Sequence, residues 1–184
     1  MRKNFGTQTW AYPMPVFIIG SYDENGNPDA MNAAWGGIVD YGHIGLCLSA
    51  GHKTTKNIMK KKAFTVNIAN AANVVAEDYV GLISANNMSD KFVKVGFTAT
   101  KSEFVDAPII NELPMSLECE YVKTTEYGLI IGKIVNVSAD ENILTDNKID
   151  PSKLNPITFD PVNNKYIALG DVVGNAFEDG KKLK

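Results

Sequence analysis

The sequence predicts a mainly β fold, a closed or split antiparallel barrel with a few short helices. Three observations carry that expectation. Short runs rich in β-branched and aromatic residues recur along the chain, several of them alternate apolar with small or polar positions, and Asn, Asp, Gly and Pro separate them. Antiparallel strands in such number leave edges unpaired unless the sheet closes, and a barrel removes those edges. With 184 residues, 45% of them hydrophobic, the chain can bury one sizeable core. Neither an internal repeat nor a linker-like tract divides it, so a single domain over 1–184 is expected.

The first strand is PVFIIGSY, Pro15 to Tyr22, and it runs into Asp23-Glu24-Asn25-Gly26-Asn27-Pro28. Asn-Gly favours the positive φ angles of a tight hairpin turn, so a partner strand should return over Ala30 to Val39. That strand would carry Met31-Asn32-Ala33-Ala34-Trp35-Gly36-Gly37 along its length. A third strand, Ile44 to Ser49, alternates Ile44, Leu46 and Leu48 with Gly45, Cys47 and Ser49, which gives one core face and one unusually small face. Thr54 or Thr55 is expected to cap a short helix through Ile58 and Met59, with lysines gathered at its C-terminal end. Phe64, Val66 and Ile68 mark another strand, and Val75, Tyr79, Leu82 and Ile83 repeat at helical spacing within Val74 to Ser84. Ser89 to Ala107 has no clear period. Met115 to Tyr121 and Gly128 to Ser138 form a second long hairpin, and short strands follow around Thr158 and Tyr166 to Leu169.

A formal charge of −3 argues against nucleic acid as a partner, since such proteins need a concentrated positive surface. Lys60-Lys61-Lys62 is the local exception, either a solvated helix end or an attractor for a small anion. No apolar run is long enough for an export signal or a membrane span. Cys47 and Cys119 are too few and too far apart for a metal site or a disulfide framework, and are expected to be reduced thiols of a cytoplasmic protein. Neither His43 nor His52 stands beside a carboxylate or nucleophile at hydrolytic spacing, and no metal-ligand spacing occurs. Hydrolase and metalloenzyme readings therefore lack a centre.

Two segments carry chemistry. Asn32 can hydrogen-bond the edge of a flat ring, Ala33 and Ala34 let backbone N–H groups come close, and Trp35 can pack beside an aromatic system. Taken alone, the same residues also fit ordinary barrel packing with a bulge at Gly36-Gly37. Ser49, His52, Lys53, Thr54 and Thr55 then bring hydroxyls, cations and free backbone N–H groups to a helix start, where anions are favoured. A simple Thr cap with exposed lysines is the alternative there. Gly51-His52-Lys53-Thr54 lacks the upstream glycine and the Gly-Lys pair of a nucleotide P-loop. Ser89-Asp90-Lys91-Phe92 either closes over a ligand or is a loop with Phe92 in the core. Together, ring platform and phosphate-suited helix start point to a flavin mononucleotide (FMN) site.

At these residues the chain resembles the flavin reductase-like, FMN-binding split-barrel family, particularly its flavoredoxin-like branch. The similarity runs through PVFIIGSYDENGNPDAMNAAWGG, HKTTKNI, FTVNIA, DKF at Asp90 to Phe92, the APIINE and LECE stretches and the Tyr166 to Gly170 strand. The resemblance implies a six-stranded antiparallel split barrel, a homodimer, and FMN held non-covalently near the subunit interface. It implies that Asn32, Ala33, Ala34 and Trp35 line the flavin and that Cys47, Leu48 and Ser49 follow its ring and ribityl side. His52, Lys53, Thr54, Thr55 and Asn57 would gather near the phosphate, with Lys91 as a further contact. His52-Lys53 departs from the arginine-containing segment of many relatives. The family's enzymes take hydride from NADH or NADPH onto the flavin and pass electrons to an acceptor, with no acid-base residue required because the cofactor carries the chemistry. A flavoredoxin-like electron carrier reduced by a partner protein, and a non-catalytic flavin-binding barrel, are the alternatives.

Overall fold

The computed structural model describes residues 1–183. A two-residue strand β1 (Met14–Pro15) leads into β2 (Phe17–Tyr22) and β3 (Pro28–Ala33), the hairpin read from Asn25-Gly26. Its loop spans five residues because the Asp23 carboxylate organises it, accepting from the amides of Asn25 and Asn27, both at 2.9 Å. Only Gly26 in that loop takes a positive φ, +84°. The turn is thus wider than the two-residue form that Asn-Gly favours.

After β3 the chain does not continue as one strand to Val39. It breaks at Ala34-Trp35 and begins again as β4 (Gly36–Asp40), followed by β5 (His43–Cys47). Then come α1 (Lys53–Lys61), β6 (Ala63–Ile68), α2 (Val74–Leu82), α3 (Lys91–Lys94) and the short pair β7 (Ala99–Lys101) and β8 (Pro108–Ile110). The second long hairpin is β9 (Met115–Thr124) and β10 (Leu129–Ala139). A small hairpin, β11 (Leu144–Thr145) and β12 (Lys148–Ile149), turns at Asp146 and Asn147, which both adopt positive φ. The helical turn α4 (Pro151–Leu154), the pair β13 (Ile157–Asp160) and β14 (Lys165–Ala168), and a 3-10 turn at Asp179–Leu183 follow.

The main sheet runs β3-β2-β6-β9-β10-β5-β4, seven antiparallel strands where six were expected. The extra strand arises from the break at Ala34-Trp35. Strands β3 and β4 are neighbours in sequence yet lie at opposite ends of the sheet, so the link between them spans the split of the barrel. Alternate residues of the curled sheet point inward, and Phe17, Ile19, Met31, Ala33, Ile44, Leu46, Phe64, Val66, Leu117 and Ile130 form one interior cluster that Ile58 of α1 joins. The opposite positions on the β2–β3 half, Val16, Ile18 and Ala30, are also buried, under Val80 of α2, Phe92 of α3 and Ile110. Burial on both faces is why Val16 to Ile19 reads as a continuous apolar run.

Helix α2 turns a different face inward from the one its apolar spacing indicated. Val75 and Leu82 are exposed, while Glu77 and Val80 are buried. Contact with β3 decides this: a Cβ at Gly81 would stand 2.8 Å from Asn32 Cβ, so glycine lets the helix rest on that strand. The lysine run ends α1 in internal pairings, Lys60 with Glu24, Lys61 with Asp106, and Lys62 over the Tyr121 ring at 4.5 Å. Cys119 lies in the barrel interior, where burial pushes its thiol up to about 12, and Cys47 is exposed and free. Among the described residues no helix is long and apolar enough to cross a membrane.

Candidate functional site

The loop from Ser49 enters α1 through His52, whose extended backbone (φ −65°, ψ 143°) makes it the residue preceding the helix. Neither threonine caps, contrary to expectation. Lys53 already has helical conformation, so Thr54 and Thr55 fall inside the first turn and their side chains turn into the protein. Thr54 Oγ1 donates to Asp29 Oδ2 at 2.6 Å, and Thr55 Oγ1 is buried without a partner. No acidic side chain occupies the first turn, and among the described residues the amides of Lys53, Thr54 and Thr55 find no acceptor. Three unsatisfied N–H groups with His52 and Lys53 beside them form an anion-accepting helix end. Ser49 Oγ accepts from the Gly51 amide at 3.4 Å, and Asn86 Nδ2 donates to Gly51 O at 3.0 Å, which ties the α2–α3 loop to this turn.

A cavity of about 200 Å³ opens at the helix start. Asn32, His52, Lys53, Thr54 and Lys91 line it, together with the C-terminal end of α2. The Asn32 carboxamide is oriented by two bonds, donating through Nδ2 to Glu77 O (3.1 Å) and Tyr166 Oη (3.3 Å). Tyr166 in turn donates to Asp78 Oδ1 at 2.8 Å, and burial with that carboxylate raises its phenol above the ordinary range.

From Met31 and Asn32 the same backbone runs out of this cavity to the strand break. There, Trp35 O accepts from Cys47 N at 2.8 Å, which fixes the corner while leaving the indole half exposed. A second cleft of about 280 Å³ lies at the corner, between Ala34, Trp35 and Gly36 on one side and Thr9, Ala11 and Pro13 of the N-terminal segment on the other. Ala33 and Leu48 point into the barrel, whereas Cys47, where β5 ends two residues short of the expected Ser49, and Ser49 in the loop beyond it are exposed.

One expected contact lies outside this cavity. Asn57 is buried one turn into α1 and donates to Ser21 Oγ at 3.2 Å. Lys91 reaches the cavity wall from beneath, donating to Val80 O (3.0 Å) and Ile83 O (2.9 Å), with Asp29 Oδ1 3.4 Å from its Nζ. Burial lowers its ammonium below the ordinary lysine range and Asp29 opposes that shift. His43 opens β5, and its ring bonds only the Tyr41 carbonyl, at 3.2 Å. Sequence reasoning missed Asp29, Asn86, Glu77 and Tyr166. Their partners lie between 7 and 134 residues away, so no local pattern announces them.

Fold and site together define a split β-barrel of the flavin-binding redox type, with a phosphate-suited helix start and an aromatic corner joined by one segment. Residues 9–157 match the family described as the flavin reductase like domain. The chain belongs to that family, in its flavoredoxin-like branch. It is similar to the flavoredoxin of Desulfovibrio vulgaris (Miyazaki F), with 38% identity, TM-score 0.94, and coverage of 98% of this chain and 100% of that one. The flavoredoxin from Methanosarcina acetivorans superimposes with TM-score 0.91 at 27% identity, each chain covered completely. An uncharacterized protein of Aquifex aeolicus (strain VF5) is 32% identical over 111 residues, a stretch that takes in 56% of this chain and only 55% of that relative's length.

Proposed function

We propose that the protein is an FMN-dependent oxidoreductase of the flavin reductase type, taking electrons from NADH or NADPH and passing them to an acceptor. One observation carries this reading: the Met31–Gly36 backbone leads from three unpaired helix-start amides to an exposed indole. That arrangement fits an elongated ligand with an anion at one end and a flat ring at the other. The amides of Lys53, Thr54 and Thr55, with the Lys53 ammonium and the His52 ring, would hold the phosphate. Ser49 and the edge of Cys47 would follow the ribityl chain, and the backbone of Asn32 to Ala34 would meet the ring edge, with Trp35 against its face. Bound FMN would supply the two-electron chemistry, and this chain's side chains would orient it and exclude water, with no general acid or base required of them.

The experiment is direct. Purified protein is expected to show flavin absorbance that bleaches on anaerobic addition of NADH or NADPH; flavin that stays oxidised with both sinks the reductase reading. The likeness to two flavoredoxins favours a second reading, an electron carrier that keeps FMN and is reduced by a protein partner. Bleaching by a reduced redox protein and by neither nicotinamide would select it.

We further propose that the chain works as a homodimer. Ile38, Val39 and Tyr41 are exposed on β4 and its turn, next to the Trp35 corner, a grouping of apolar side chains that a second copy would cover. Light scattering is expected to give twice the 20.0 kDa chain mass. A monomeric mass at all micromolar concentrations would remove the dimer from the scheme.

A further inference from the structure

We propose that Asp29, Thr54 and Lys91 form a buried positioning clamp that sets the first turn of α1, so that affinity for a flavin's phosphate end depends on Lys91 without Lys91 touching the phosphate. The inference rests on the FMN reading above and deepens it.

Geometry assigns the role. The Lys91 ammonium has three protons, and two are donated to the terminal carbonyls of α2, Val80 and Ile83, while the third side faces Asp29 Oδ1. Its side chain is 3% exposed, two of its protons are spent on those carbonyls, and the third side meets Asp29 Oδ1 as an ion pair at 3.4 Å without a hydrogen bond to that oxygen. Asp29, on β3, spends its other oxygen on the Thr54 hydroxyl at 2.6 Å. One buried cation thus joins three walls of the cavity: the end of α2, strand β3 and helix α1. All three side chains are at least nine-tenths buried.

Stability alone is a poor reason for such a pair. Desolvating two charges is costly, and apolar side chains of equal volume commonly hold a fold as well. What the pair adds is direction. Thr54 is the second residue of the helix, and its own amide is one of the three left without an acceptor, so the bond from its hydroxyl to a fixed carboxylate fixes that amide too. Lys91 fixes the carboxylate. It also gathers the α2 carbonyls, from which the loop bearing Asn86 returns to Gly51 at the same helix start. Displacement of any member would move donors that meet the phosphate and leave the Trp35 corner, held by Cys47, in place.

The test compares FMN with riboflavin, which has the same ring and ribityl chain but no phosphate. Fluorescence titrations of the full-length protein would be run on wild type, Thr54→Val, Thr54→Ser and Lys91→Met, each with its melting temperature. Thr54→Val keeps the shape and removes the hydroxyl; it is expected to weaken FMN at least tenfold and riboflavin less than twofold. Thr54→Ser restores the donor and should bring FMN to within twofold of wild type. Lys91→Met is expected to follow Thr54→Val, and if it does not fold, the valine–serine pair decides. Equal losses for both flavins, or unchanged FMN binding in Thr54→Val, would overturn the clamp while leaving the FMN reading intact. Wild-type protein that takes up neither flavin overturns the FMN reading itself, and the clamp with it.

Discussion

Glu77→Gln is expected to stabilise the protein at pH 8 and to remove most of the loss of stability that the wild type suffers between about pH 4.5 and 7. Glu77 lies in the first turn of α2, 1% exposed. One carboxyl oxygen accepts from the Asn70 amide at 2.8 Å, and the other is buried with no partner. Burial raises its pKa from 4.5 to about 7, with the Asn70 amide opposing the shift. The folded state therefore holds a proton that the unfolded chain releases across this interval. Stability from this group is full below pH 4.5 and is lost as pH rises through 7. A difference of that size corresponds to about 3 kcal/mol, at roughly 1.4 kcal/mol per pH unit. Glutamine copies the protonated shape, keeps an acceptor for Asn70 and cannot ionise. Urea unfolding of both proteins at pH 4.5, 6 and 8 measures the effect. A wild-type slope that persists in Glu77→Gln would assign the pH dependence to other groups.

The parts of this molecule that sequence disclosed are those set by local chemistry. Alternation in Phe64 to Ile68, the Asp23–Pro28 turn cluster and the hairpin of Met115 to Tyr121 with Gly128 to Ser138 are properties of a few adjacent residues, and each forms where it was expected. The failures share a cause. An apolar stripe on α2 was expected to face inward, but Gly81 seats the helix on Asn32 and turns Val75 and Leu82 to solvent. Ala30 to Val39 reads as one strand because nothing in NAAWGG says that the two halves join opposite edges of a sheet; only closure of the whole barrel decides that. Thr54 has the residue type of a cap, and its hydroxyl instead serves a carboxylate 25 positions away. The candidate site follows the same division. Its anion-suited helix start is legible because unpaired helix-start amides favour anions wherever they occur. Asp29, and the inward turn of Lys91, which the resemblance offered only as a ligand contact, are visible only once β3, α1 and α2 have met.

Trp35→Ala is expected to weaken flavin binding by about 2 kcal/mol, roughly thirtyfold in Kd, with little change in melting temperature. Half the indole is already exposed, and the bond that fixes the corner uses the Trp35 carbonyl, which the substitution keeps. A flavin lying on the remaining surface would cover on the order of 100 Å² of it, worth about 2.5 kcal/mol at 25 cal/mol per Å² before ordering costs. Stacking adds to this and is retained by another aromatic, so Trp35→Phe should recover most of the affinity. The ring is common to FMN and riboflavin, and both should lose in the same proportion. That pattern is opposite to the one expected of Thr54→Val, where FMN alone suffers. The pair of variants therefore divides the binding energy between the two ends of the Met31–Gly36 segment. Unchanged affinity in Trp35→Ala would move the ring off the corner. If the same variant became monomeric by light scattering, the indole would belong to the contact between copies and not to the flavin seat.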